Sequence, residues 1–317
     1  MRFALDTEQR DFAASLDAAL GAANVPAAVR AWAAGDTGLG RAIWGQLSEL
    51  GVTALAVPEK FDGIGAHPVD LVVACERLGF WCVPGPVAES LAVAPVLLAD
   101  DERSAALASG DMIATVALPP SVPWAVDADS ADLVLLAAEG AVCDAAAGEA
   151  HESVDPARRL FTVSAGGESR PADLERAFEF GTLATAAQLV GAGQAMLDTT
   201  VAYAKQRSQF GRLIGSYQAV KHKLADVHIA LELARPLVYG AALALADGSA
   251  DTARDVSAAK AAAADAALLS ARACLQTHGA IGYTTEHDLS QWLLRVQALR
   301  PAWGDPTYHR RRVLEAL

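Results

Sequence analysis

At 317 residues and 32.8 kDa the chain can bury a substantial core and is long enough for one to three domains. A 53% apolar composition and a mean hydropathy of +0.24 exclude a disordered chain, and a formal charge of −13 argues against a general nucleic-acid binder. The same charge repels anionic ligands, so a phosphate-bearing cofactor needs a local patch of positive charge. Much of the apolar count is alanine, as in AAKAAAADAALLSARA (Ala258 to Ala273), which points to closely packed helices. Lys260 and Asp265 interrupt that run, and no uninterrupted apolar stretch reaches bilayer length. The N-terminal MRFALDTEQRDF has no apolar core of signal-peptide length, so the expected location is the cytoplasm, with no membrane partner. Cys75, Cys82, Cys143 and Cys274 are widely scattered and none is spaced for a zinc or redox site, so no metal is expected.

The first hundred residues read as helices. Thr7 is the expected cap of a helix whose apolar positions Phe12, Leu16 and Leu20 recur every fourth residue. Ile43, Trp44, Leu47 and Leu50 mark one face of a second helix, with Gly51 as its stop. VPEKFDGIGAHPVDL (Val57 to Leu71) is a glycine-punctuated loop, and Pro68 suits the first turn of a helix running to Leu78 and ending at Gly79. Three β-type runs follow, Met112 to Leu118, Leu133 to Ala138 and Arg159 to Ser164, separated by turn-formers such as PPSVP and AGGES.

Beyond Leu174 the helical pattern returns. One helix is expected over Phe180 to Lys205. The next carries Val220, Leu224, Val227, Leu231 and Val238 on one stripe, with a kink expected at Pro236. An alanine-rich helix over Asp255 to Thr277 and another over Glu286 to Leu299 complete the set. The reading is a mainly α protein with a small β domain: a helical domain over 1–110, a reduced β domain over 111–171, and a four-helix bundle over 172–317.

Three segments, in order, resemble the acyl-CoA dehydrogenase family over nearly the whole chain. RSQFGRLIGSYQAVKHKLAD (Arg207 to Asp226) is similar to the family run R-x-Q-F-G-x-x-I-G-x-x-Q-A-x-x-H-x-x-A-D. QTHGAIGYTTEHDL (Gln276 to Leu289) resembles its Q-x-x-G-G-x-G-Y segment, and LSELGVTALAVPEKFDGIGAHPVDLVVACERLG resembles its N-terminal helical domain. The expected fold is therefore that of the family. The chemistry of the first motif can be stated from its residues: a guanidinium at Arg207 can grip a pyrophosphate bidentately, while exposed backbone N–H groups and Phe210 hold the ribose and adenine side. The resemblance implies that Arg207, Gln209 and Phe210 reach across a subunit boundary to an FAD. It also implies that Gln276, Gly279 and Ala280 approach the same dinucleotide, with Ala280 adding a methyl where the family has a second glycine.

The pattern breaks where the base belongs. Removing the weakly acidic proton beside a thioester needs a carboxylate held in a water-poor pocket. The family places a glutamate in a Y-E-G-T segment; aligning Trp303 with its tyrosine puts Gly304 at the glutamate. Some members carry it at the start of the helix before R-x-Q-F-G, and Gly181, followed by Thr182, stands there. Asp305 is one residue off and is otherwise a turn residue before Pro306. Glu175 and Glu179 read as charges favourably placed at a helix N-terminus. The family strands Y-x-x-T-E-P-x-A-G-S-D and W-I-T-N, which bond and cover the flavin ring, have no counterpart; ATVALPPSVPW stands in the first place. His222 and His278 are expected to be structural, and His309 to Arg312 form a basic run that is either a solvated helix face or a contact for CoA phosphates.

The resemblance thus points to the shorter partner of a heteromeric, α2β2 acyl-CoA dehydrogenase, similar to the paired short and long subunits that actinobacteria use on CoA thioesters of steroid fragments. A longer catalytic subunit would supply the base and acyl pocket, FAD would be shared, and an electron-transfer flavoprotein or similar carrier would take the electrons. Two alternatives stay open: a complete homomeric enzyme with Asp305 as base, and a structural helical protein that no longer binds FAD.

Overall fold

The computed structural model describes residues 4–284 and 286–317. Met1 to Phe3, in the N-terminal segment read above, and Thr285, in the second matched segment, lie outside the described residues.

Helix α1 (Thr7–Ala22) is capped one residue earlier than expected. The Asp6 carboxylate accepts from the Gln9 N–H at 2.8 Å while the Gln9 side chain accepts from the Asp6 N–H, a reciprocal box in which a carboxylate is a better acceptor than the Thr7 hydroxyl. Helix α2 (Val25–Ala33), too short for a clear period, buries Trp32. Helix α3 (Gly38–Glu49) turns Ile43, Trp44 and Leu47 inward, and Gly51 follows it at φ +76°.

Helix α4 (Pro68–Phe80) starts at Pro68 as expected but runs through Gly79 instead of stopping there. Gly79 is a packing glycine: a Cβ on it would lie 2.2 Å from the Gln188 carbonyl oxygen, and one on Gly191 would lie 1.9 Å from that of Glu76. Two bare backbones therefore meet where α4 crosses α7 (Leu174–Ala204). A π-turn over Glu89–Val93 and short helices α5 (Ala94–Leu97) and α6 (Ser104–Ala108) complete this part.

The strands β1 (Ala114–Ala117), β2 (Ala125–Val126), β3 (Leu133–Ala138), β4 (Ala141–His151), β5 (Leu160–Ala165) and β6 (Arg170–Pro171) form one sheet. The order is β1-β3-β4-β5-β2, β6 pairs with β4, and only β1 with β3 is parallel among these pairs. The three expected runs appear as β1, β3 and β5. β4 was missed because AVCDAAAGEAH has weak β propensity; its partners on both sides impose the conformation.

The C-terminal bundle contains α7, α8 (Gln218–Ala246), α9 (Thr252–His278) and α10 (Leu289–Leu299), and α11 (Pro306–Glu315) packs against α9. α7 begins six residues before the expected Phe180 because Asp173 caps it, accepting from the Arg176 N–H. α8 runs past Pro236 as one helix with Leu224, Val227, Leu231 and Val238 buried. It is also the one single helix among the described residues long and apolar enough to cross a membrane, although its inner stripe packs in the bundle. The main apolar core extends from Leu16 through α7 and α9 to Trp303, and a small second cluster of Ala117, Ala125, Ala128 and Phe161 lies at the sheet. The expected mainly α fold with a small β domain is the observed one.

Candidate functional site

Past the end of α7 the chain turns back on itself. The Arg207 N–H still donates to the Tyr203 carbonyl at 2.9 Å, and then β7 (Ser208–Gln209) pairs with β8 (Arg212–Leu213) in a tight hairpin. Its two central residues, Phe210 at φ +52° and Gly211 at φ +80°, are both left-handed, as a two-residue turn that follows strand twist requires. Glycine takes that conformation freely; phenylalanine does not. The Phe210 ring nonetheless stands 92% exposed at the tip, with Arg207, Gln209 and Arg212 exposed around it.

The second motif comes to the same end of the bundle. His278, the last residue of α9, stacks on Tyr203 with centroids 4.3 Å apart, and its Nδ1–H donates to the Cys274 carbonyl at 2.9 Å. Burial and the facing His287 ring lower its pKa, in keeping with the expected structural role. Gln276 accepts from the Lys223 ammonium, which ties the end of α9 to the start of α8. Gly279 sits at φ +69°, ψ −142°, a region only glycine reaches readily, with no atom of the described residues within 4 Å of a would-be Cβ. Ala280 is exposed and not at positive φ, so its methyl costs the backbone nothing.

Charge converges there as well. Lys205, Arg207, Arg212, Lys221 and Lys223 fall within nineteen residues that contain no Asp or Glu, in a chain of net charge −13. A guanidinium fork, an amide, ammonium groups and an open glycine backbone are the donor set of a dinucleotide site. The residues present therefore fit the phosphate end of FAD.

The other half of the expected chemistry is filled in. Trp303 is buried at φ +57°, and its indole occupies the space beside Gly181, where a Cβ would lie 2.6 Å from the ring. Its Nε1–H donates to Glu89 at 3.1 Å, and Glu89 pairs with Arg158 at 3.2 Å, both buried. The Trp303 carbonyl accepts from His309 Nε2–H at 2.8 Å and from the Thr182 hydroxyl at 3.3 Å. Gly304 is at φ +92°, and a Cβ there would lie 2.6 Å from His309 Nε2. Asp305 is exposed, and its carboxylate caps α11 by accepting from the Tyr308 N–H at 2.7 Å. Glu179 lies beyond the first turn of α7, buried and bonded to Arg312 at 2.5 Å, so its role is an ion pair and not a helix-end charge.

Sequence reasoning missed the groups that hold this filled region. Lys260, fully buried in α9, donates to the carbonyls of Leu299, Arg300 and Gly304 at 3.3, 2.9 and 3.0 Å, although burial pushes its pKa down to about 7. A lysine interrupting a run of alanines was the available signal. Arg295 and Asp155 form a second buried pair at 2.5 Å. His309 accepts from Ser257 and donates to Trp303, and burial, with Lys260 nearby, lowers its pKa to about 4. The basic run is therefore split: His309 is internal, Arg310 and Arg312 are paired with Asp265 and Glu179, and Arg311 is exposed. Because the unfolded chain protonates His309 first, near its ordinary value, stability is expected to fall as pH drops from about 6.5 to about 4. Urea midpoints across that interval test this, and His309→Gln should flatten the slope.

Comparisons with known proteins agree with the architecture. The chain matches the acyl-CoA dehydrogenase N-terminal domain over residues 6–100 and the C-terminal domain over residues 172–317. It is 33% identical over 294 residues to acyl-CoA dehydrogenase IpdE2 of Mycolicibacterium smegmatis, covering 91% of this chain and 92% of that protein. It is 35% identical over 303 residues to acyl-CoA dehydrogenase FadE34 of Mycobacterium tuberculosis, covering 88% of this chain but 42% of FadE34. A solved structure described as the Tcur3481-Tcur3483 steroid ACAD superposes with a TM-score of 0.86 at 21% identity, covering 98% of this chain and 97% of that one. With its fold, its two matched domains and a relative aligned nearly end to end, the chain belongs to the acyl-CoA dehydrogenase family.

Proposed function

We propose that this chain is the short, non-catalytic subunit of a heteromeric acyl-CoA dehydrogenase. It contributes the dinucleotide end of an FAD site shared with a longer partner. The observation that carries the reading is a pair of glycines: Gly181 and Gly304 stand where the motif resemblance puts the family's base, and the room a side chain would need there is taken by Trp303 and His309. A chain that merely lost a glutamate would leave a hole; this one has packed it. The exposed hairpin and its cationic surroundings meanwhile retain the phosphate-binding chemistry.

In this scheme the partner's carboxylate removes the proton beside the thioester carbonyl, and bound FAD supplies the acceptor for the β-hydride. Arg207 holds the pyrophosphate with its guanidinium fork, Gln276 donates an amide N–H to it, and Gln209 and Phe210 hold the ribose and adenine side. Gly279 and Ala280 let the backbone approach. Coverage of FadE34 supports a paired arrangement, since the matched part is 42% of a protein with room for a second, longer unit. The steroid ACAD likeness motivates bulky, steroid-derived acyl groups as substrate and an electron-transfer flavoprotein or similar carrier as acceptor. Asp305 loses its claim as a base because its carboxylate is exposed and engaged as a cap.

The test is to purify the chain alone and together with a longer homologue encoded beside it, then record flavin absorbance and acyl-CoA oxidation. Yellow colour and turnover only in the mixture are expected. Turnover by the lone chain would overturn the reading. Restoring the missing group is expected to fail: Gly304→Glu places a side chain at positive φ against His309, costs at least about 2 kcal/mol, and gives no turnover by the lone chain. Thermal melting and an acyl-CoA assay of that variant check both statements.

A further inference from the structure

The hairpin tip carries a conformation that the turn requires and that costs a phenylalanine energy. Phe210 is held left-handed with its ring in solvent, so nothing its own side chain touches compensates the strain. Such a residue stays in place only when its surroundings over-determine it. Below the tip the chain is tied down by the Ile214 N–H donating to the Arg207 carbonyl at 2.8 Å, and Gly215 passes so near the Ala204 carbonyl oxygen that a Cβ would lie 2.8 Å from it. These contacts fix the hairpin's base.

The tip is reached by one side chain from α8. The Tyr217 hydroxyl, at the N-cap of that helix, lies 3.3 Å from the Gln209 carbonyl and 3.4 Å from the Phe210 carbonyl, and it donates its single hydrogen to this pair. The Arg212 guanidinium stacks over the Tyr217 ring with its carbon 3.8 Å from the centroid. Hydroxyl and ring thus engage both strands of the hairpin at once, one through backbone oxygens and the other through a cation on the ring face.

We propose that Tyr217, with Arg212, is a positioning residue that preforms the hairpin so that Arg207, Gln209 and Phe210 meet the dinucleotide without first being ordered. The benefit is entropic: a floppy tip must be frozen on binding, whereas a braced one is already in its bound shape. The claim rests on the shared-site reading for what the hairpin binds, but not for whether the hairpin is braced. In this role Tyr217 touches no part of the ligand, and Arg212, also one of the cations of the site, acts through the Tyr217 ring. Loss of the brace therefore weakens FAD binding and leaves the chemistry at saturating FAD as it was.

Two measurements test it separately. In the lone chain, chymotrypsin cleavage after the exposed Phe210 is expected to be about tenfold faster in Tyr217→Ala and about threefold faster in Tyr217→Phe, which keeps the stacked ring. Melting temperatures should stay within about 2 °C of the parent chain, because the hairpin is solvent-exposed. In the complex with the longer partner, the FAD dissociation constant should rise by similar factors, with kcat at saturating FAD unchanged. Parent-like cleavage and parent-like FAD binding in Tyr217→Ala would overturn the proposal, as would a fall in kcat that excess FAD does not relieve. Arg207→Ala is the reference: if it fails to loosen FAD, the reading of the site falls, and Tyr217 is then judged on cleavage alone.

Discussion

Trp303→Ala is expected to destabilise the chain by about 3–5 kcal/mol, the range for removing a large aromatic from a core that cannot collapse around the loss. The indole is 1% exposed and lies between Gly181 and Phe178, whose ring centroid is 6.0 Å away. Neither neighbour can fill the space, one having no side chain and the other being held by Tyr308 and His309. Two further costs add to the cavity. Glu89, buried and still paired with Arg158, loses its indole donor, and residue 303 keeps its left-handed conformation without the packing that enforces it. By differential scanning the melting temperature should drop by roughly 5–8 °C for a chain of this size. Trp303→Phe should recover most of the packing but not the Glu89 bond. A Trp303→Ala chain melting within 2–3 °C of the parent would mean that the region is soft and that the filled base position is incidental.

Arg207→Ala is expected to raise the FAD dissociation constant of the reconstituted complex about 100-fold, the size of effect seen when a charge-assisted, bidentate partner of a buried phosphate is removed. The guanidinium is exposed in the lone chain and has no carboxylate partner among the described residues, so the loss falls on binding alone. Turnover at micromolar FAD should collapse and return when FAD is supplied in excess, since the base and acyl pocket belong to the partner in the proposed scheme. Arg207→Lys should recover part of the affinity, keeping the charge but not the planar fork. A complex that loses turnover irreversibly, with FAD still bound, would place Arg207 in the reaction itself and contradict the division of labour.

The sequence announced some of this and hid the rest for physical reasons. Helices with a regular inner stripe were legible; α8 showed Leu224, Val227, Leu231 and Val238 at helical spacing, and all four are buried. β4 was not, because alanine and glycine have no strand preference and partner strands impose their pairing from a distance. Gly79 read as a stop signal since nothing local distinguishes a glycine that ends a helix from one that admits another backbone. At the site, the linear motifs marked Arg207 to Phe210 and Gln276 to Ala280, and the structure brings both to one end of the bundle through the stack of His278 on Tyr203 and the Lys223–Gln276 bond. Two missing carboxylates could be counted. That Trp303, Glu89 and Arg158 had been packed into their place joins residues more than two hundred positions apart in the chain, and no spacing rule reveals it.

The bare crossing of α4 and α7 sets a limit on how this sequence can drift. Gly79 and Gly191 admit no carbon at all without prying two layers apart. Random mutagenesis should therefore find this seam among the least forgiving places in the molecule.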